Sequence, residues 1–174
     1  MESKIQYNNE ALELCEEFMD IGYMAENFEA TTPSGELVEI KRSNPERTMT
    51  LLLSFPNYQE FEKEIAKIDE FMSHIQIDIH CYILFASQED CTIGKLKKFE
   101  ILFDSQDEFG PIYGAKLENG SLANKLTKSL FLIGKDGAIF FLELPSDLSQ
   151  ELDLERLQVE LNKAYVTYTG VGCH

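Results

Sequence analysis

Residues 48–85, TMTLLLSFPNYQEFEKEIAKIDEFMSHIQIDIHCYILF, decide the fold of this chain. Positions 51–55 are almost continuously apolar, which is typical of a central strand covered on both faces, and Pro56 ends the run. Over 58–73, apolar residues recur at intervals of three and four with charged residues between them, which predicts an amphipathic helix. The β-branched and aromatic run 75–85 predicts a second central strand.

The helix carries a start signal in its sequence. Asn57 can accept a hydrogen bond from backbone N–H groups, and Glu60, three residues later, can reach back as in a capping box. The carboxylates of Glu60, Glu62 and Glu64 could be interpreted as an acid–base cluster. They fall along the predicted helix, however, and we expect them to form a solvated face.

Two hairpins are predicted before the first central strand. Residues 5–14 form two short extended segments around Asn8-Asn9, a pair that tolerates the left-handed geometry of a tight turn. A helix over 10–19 is the competing interpretation, because apolar residues there also recur at helical spacing. The second hairpin covers 28–40 and turns at a Pro-Ser-Gly sequence.

The second half of the chain continues the mixed pattern. The expected elements are a strand at 99–103, a helix at 109–113 closed by Gly114, a hairpin of 130–133 and 138–144, a helix from Ser149 to about Ala164, and a tail at 165–174. This order predicts one α/β domain over residues 1–174, with a mixed sheet and helices on its faces.

Composition excludes several classes of function. With 174 residues and 44% apolar content, the chain can bury a core without disulfides or metal. Its formal net charge of −16 repels phosphate backbones and anionic lipid, so we expect neither nucleic-acid nor membrane binding. No apolar run approaches the roughly 20 residues of a membrane span, and the Met-Glu-Ser-Lys start does not resemble a signal peptide. We expect a cytoplasmic protein.

The four cysteines form no Cys-x-x-Cys pair, so neither a disulfide scaffold nor a zinc ribbon is indicated. Cys81 lies inside an apolar strand and is interpreted as a core residue. Its neighbour His80 would point to the opposite face of that strand, which argues against a shared metal ion. We expect no metal and no cofactor.

Four segments resemble the thiol peroxidase-type peroxiredoxins. Residues 20–30, DIGYMAENFEA, resemble the opening of that family, in which Gly and then Ala-Pro-Asp-Phe precede an extended segment, although Glu26 replaces the proline. Residues 5–13 resemble the subfamily's N-terminal hairpin, 113–126 its Tyr-Gly-Val stretch and 129–144 its closing hairpin.

This resemblance covers about residues 5–162. It implies a thioredoxin-like, peroxiredoxin-type fold in which a mixed central sheet is flanked by helices and preceded by a β-hairpin. It therefore favours strands over the competing helix near the N-terminus. It also implies a homodimer.

The resemblance implies a chemistry that these residues do not supply. Peroxiredoxins place a threonine and a peroxide-attacking cysteine after the Phe-Pro that ends the central strand, where a helix dipole favours the thiolate. Phe55-Pro56 is present, but residues 57–80 contain neither cysteine nor threonine. Lys128 stands where the family has an arginine, and lysine lacks the planar fork that holds two oxygens at once. We interpret Phe55, Pro56 and Lys128 as a vestigial pocket without catalytic residues.

Two thiols leave an alternative open. Cys91 falls near the family's resolving cysteine, although it could also be an ordinary loop residue, and Cys173 lies in a glycine-rich terminal segment. The leading hypothesis is a thiol peroxidase-like protein without peroxidase activity that dimerises or binds a protein partner. The alternative is a redox-active thiol protein that uses a relocated cysteine such as Cys91 or Cys173.

Overall fold

The computed structural model describes residues 4–15 and 17–168. Within them, a two-stranded hairpin and a seven-stranded mixed sheet are combined with helices. The strands are β1 (Lys4–Tyr7), β2 (Glu10–Glu13), β3 (Phe28–Thr31), β4 (Leu37–Ile40), β5 (Met49–Ser54), β6 (Ile79–Phe85), β7 (Glu100–Phe103), β8 (Ser129–Ile133) and β9 (Ile139–Glu143). The helices are α1 (Glu62–Ser73), α2 (Phe109–Tyr113) and α3 (Leu154–Tyr168), with short 3-10 turns at Gln59–Phe61, Gln88–Asp90 and Gly120–Leu122.

The large sheet has the strand order β4-β3-β7-β6-β5-β8-β9. Strand β5 is buried along its whole length and pairs in parallel with β6 and antiparallel with β8. Alternate residues of β5 enter two cores: Leu51 and Leu53 pack with the apolar faces of α1 and α3, and Leu52 packs with α2. The prediction of two central strands joined by an amphipathic helix is confirmed.

The N-terminal hairpin is confirmed, and the competing helix over 10–19 is wrong. Strands β1 and β2 pair antiparallel, and Asn8 and Asn9 occupy the left-handed region with φ of 47° and 66°. Long-range bonds override local helix propensity here. The Gln6 N–H donates to the Ser146 carbonyl oxygen (2.7 Å), and the Leu148 N–H donates to the Gln6 carbonyl oxygen (2.9 Å).

Strand β6 begins at Ile79, four residues later than predicted. The apolar run does start at residue 75, but the Ile75 N–H donates to the Met72 carbonyl oxygen (3.2 Å) and so closes the end of α1. An apolar run alone cannot separate a helix-closing turn from the strand that follows it.

The last helix is shifted from its predicted bounds. It begins at Leu154 instead of Ser149, because the Asp153 carboxylate accepts the Arg156 N–H (3.0 Å) as an N-cap. It also continues through Tyr168, past the expected end at Ala164, so residues 165–168 are helical and not part of a tail. The Lys135 ammonium lies 4.0 Å from the centroid of the Tyr165 ring and covers this last turn.

None of the helices in the described residues combines the length and the apolar character that crossing a bilayer requires.

Candidate functional site

The vestigial pocket predicted from the sequence lies where β5 ends and the chain turns toward α1. Phe55 and Pro56 are buried at this corner. Asn57 then accepts the Glu60 N–H at its side-chain oxygen (2.8 Å), which confirms half of the capping box. The other half differs, because the Glu60 carboxylate accepts from the Asn57 side-chain amide (2.8 Å) and not from its backbone. A 3-10 turn follows, and the α-helix starts only at Glu62.

Lys128 does reach this corner. Its side chain is 1% exposed, and its ammonium lies 5.2 Å from the centroid of the Phe61 ring and 5.8 Å from that of Phe55. The Nζ atom donates to the Glu64 carboxylate (2.6 Å) and to the Gln150 carbonyl oxygen (2.7 Å). The cation is therefore paired with a carboxylate and a carbonyl oxygen of its own chain.

Glu64 is the residue that the sequence interpretation placed wrongly. It is 7% exposed, whereas Glu60 and Glu62 are exposed as expected. Its Oε1 atom accepts from Lys128, and its Oε2 atom accepts the Leu152 N–H (2.8 Å). A signal was present in the helical spacing, because position 64 falls three residues after Phe61 and on the apolar face of α1.

A second carboxylate lies close to the Lys128–Glu64 ion pair. Glu143, on β9, accepts the Asp153 N–H (3.0 Å) just before α3. Burial raises the pKa of the Glu143 carboxyl, while the bond from Asp153 and the nearby Lys128 ammonium act in the opposite direction. The corner thus gathers residues from α1, β9, the position just before β8 and the segment before α3.

A cleft of about 460 Å³ opens beside this corner. Its apolar lining includes Phe61 and Leu148, and its polar lining includes Glu62, Lys63 and Ser149. The whole lining consists of Gln59, Glu60, Phe61, Glu62, Lys63, Glu64, Leu148, Ser149 and Glu151.

The N-terminal hairpin is joined to the polypeptide beside the cleft. The Tyr7 hydroxyl donates to the Glu60 carboxylate. Burial, followed by the bond to Glu60, raises the pKa of Tyr7 to about 12.

The described thiols lie outside the cleft lining. Cys91 follows the 3-10 turn Gln88–Asp90, is 5% exposed, and its Sγ atom lies 3.7 Å from the Ile93 carbonyl oxygen. Burial raises the pKa of the Cys91 thiol, which lowers the fraction of the nucleophilic thiolate. Cys81 is buried in β6, where burial raises its pKa to about 12. Cys173 lies outside the described residues.

Within residues 4–15 and 17–168, no three side chains of His, Cys, Asp or Glu are grouped so that they could hold a metal ion. At the corner, the Glu64 carboxylate is bound instead by the Lys128 ammonium and the Leu152 backbone N–H.

No protein-family model and no curated protein matches this chain. Solved structures do match. A peroxiredoxin-like protein from Aquifex aeolicus superposes with a TM-score of 0.81 at 14% sequence identity, covering 94% of this chain and 98% of its own. Thiol peroxidase from Chromobacterium violaceum gives 0.79 at 13% identity, with 94% and 98% covered. AhpC from Enterococcus faecalis gives 0.64 at 16% identity, with 88% and 98% covered. The fold is therefore thioredoxin-like and of the peroxiredoxin type, as the sequence resemblance implied.

Proposed function

We propose that this peroxiredoxin-fold protein does not reduce peroxides and serves as a dimerising or partner-binding module. One observation carries the proposal. The helix start after Phe55-Pro56 presents carboxylates and no thiol, and the lysine at the corner is neutralised by Glu64.

The chemistry of peroxide reduction supports this proposal. Attack on an O–O bond requires a thiolate, and the positive end of a helix dipole stabilises that anion. In this chain the first turn of α1 carries Glu62 and Glu64, so carboxylates stand where the dipole would favour a thiolate. A thiol reductant can return a sulfenic acid to the thiol, but it has no corresponding reaction with a carboxylate.

We expect the purified protein to consume hydrogen peroxide or an organic hydroperoxide no faster than the reductant alone. The assay follows peroxide loss with thioredoxin or dithiothreitol as reductant, beside an active thiol peroxidase at equal concentration. Turnover in the ordinary enzymatic range, about 1 s⁻¹ or more, would contradict the proposal. If a Cys91→Ser variant then lost that turnover, the activity would be assigned to the relocated thiol.

The module part of the proposal is supported by an exposed apolar segment. Ile21, Tyr23 and Met24 are 54%, 65% and 46% exposed, and the backbone around them pairs with the start of β9. Exposed apolar clusters are frequent at sites of association.

Light scattering should give a mass twice the 19.9 kDa of one chain. A monomer at micromolar concentration would rule out the homodimer and leave a different partner.

We also propose a cytoplasmic location, which fits the unoxidised thiols of Cys81 and Cys91 within the described residues.

The alternative function is thiol redox chemistry at Cys91 or Cys173. Its support is the position of Cys91 in the sequence, while the burial of Cys91 weighs against it. After mild peroxide exposure of the folded protein, we expect mass spectrometry to find Cys91 reduced, because little thiolate is present. Cys91→Ser and Cys173→Ser are the matched controls. Selective sulfenic acid or a disulfide at either thiol would favour this alternative instead.

A further inference from the structure

Two donors at the corner converge on one carboxylate. The Lys128 ammonium, from the residue before β8, and the Leu152 backbone N–H, from the segment before α3, bind opposite oxygens of Glu64 at 2.6 Å and 2.8 Å. Both donors come from outside α1, the helix that supplies the carboxylate. The two donors therefore form an anion-binding site, and the carboxylate that occupies this site comes from a different element of the fold.

We infer that Lys128 and the Leu152 N–H form a binding site for a small carboxylate, and that Glu64 of the same chain fills this site and closes it to outside anions. The inference rests on the proposed function in one respect, since it assigns to the corner a role other than peroxide reduction. To the proposed function it adds a ligand class, small carboxylates, and an autoinhibitory contact, that of Glu64 with Lys128 and the Leu152 N–H.

Charge and solvent exclusion explain why this site needs an anion. The Lys128 ammonium is 1% exposed and lies beside the Phe55 and Phe61 rings, so little water can solvate it. A buried charge of this kind is tolerated when an opposite charge with good hydrogen-bond geometry accompanies it. The Gln150 carbonyl oxygen is a second acceptor but carries no net charge. Glu64 is thus the anion that balances Lys128.

The size of the missing group can be stated from the chemistry of glutamate. Replacing Glu64 by alanine removes CH₂–COO⁻, and acetate, CH₃–COO⁻, supplies the same atoms with one extra hydrogen. Glu64 also lines the cleft of about 460 Å³, which gives a dissolved anion a route to the corner. Acetate is therefore the probe that the geometry selects, and propionate is one methylene longer.

The test is thermal unfolding of the Glu64→Ala variant in sodium acetate and, at equal ionic strength, in sodium chloride. Acetate should raise the midpoint with a saturable dependence, by roughly 5–10 °C at 100 times its dissociation constant. The wild type should show no such rise, because Glu64 occupies the site. Glu62→Ala, which removes an exposed carboxylate two residues away, is the matched control and should also show none.

The double variant Glu64→Ala with Lys128→Met tests the anion-binding site itself, and its acetate response should vanish. If Glu64→Ala is unfolded in chloride, acetate should restore its native circular dichroism. The inference is overturned if acetate acts no better than chloride on Glu64→Ala, or if the response persists without Lys128. Peroxide turnover by the wild type would refute the proposed function while leaving the acetate result intact, so the two failures are distinguishable.

Discussion

Replacing Lys128 by methionine should lower the free energy of unfolding by about 3–5 kcal/mol. Methionine preserves most of the apolar stem but removes the ammonium, which leaves the Glu64 carboxylate buried with one oxygen unpaired. Removing one member of a buried ion pair is costly because the remaining charge has lost its solvent without gaining a partner. Urea unfolding followed by circular dichroism measures the change.

A double variant separates this effect from simple loss of packing. Lys128→Met with Glu64→Leu removes both charges and should recover most of the lost stability, since apolar replacements of a buried ion pair are often neutral. Lys67→Met is the matched control at an exposed pair, where both side chains are more than half exposed, and its effect should be small. If Lys128→Met costs no more than Lys67→Met, the buried ion pair does not stabilise the fold.

Replacing Gly114 by alanine should cost about 2–5 kcal/mol. Gly114 closes α2 with φ of 73°, in the left-handed region, and an added Cβ would lie 2.3 Å from the Phe18 Cα and 2.5 Å from the Glu17 carbonyl oxygen. Those atoms belong to backbone, which cannot rotate away as a side chain can. The segment that leads into β3 would therefore have to separate from α2.

Gly22→Ala provides the comparison for this variant. Gly22 has φ of 93°, but its Cβ would meet no atom within 4 Å, so the substitution carries the backbone cost without the clash. We expect it to lose about 1–2 kcal/mol. Equal urea midpoints for the two alanine variants would mean that the close contact at Gly114 does not contribute to stability.

Local patterns were sufficient to predict most elements of the fold. The apolar run of β5, the helical spacing of α1 and the glycine that closes α2 are each encoded within a few neighbouring residues. The start of α3 was missed because the Leu152 side chain packs in the core although it precedes the helix, so its apolar character falsely extended the helical pattern.

The candidate site was harder to predict, for a similar reason. Its key contact joins Lys128 to Glu64, which is 64 positions away in the chain. No single segment of the sequence shows that these two residues are close in space. A carboxylate on an amphipathic helix is usually solvated, so Glu64 could be recognised only by its phase relative to Phe61. The burial of Cys91 likewise follows from the packing of its loop, which the spacing of cysteines does not contain.

The pairing of β1 with Ser146 and Leu148 sets an order for folding during translation. Gln6 leaves the ribosome well before its two backbone partners, which are synthesised roughly 140 residues later. At ordinary elongation rates of about 5–20 residues per second, the first strand must wait on the order of ten seconds before it can dock. Completion of this fold therefore depends on the synthesis of Ser146 and Leu148, and β1 is among the last strands to gain all of its native backbone bonds.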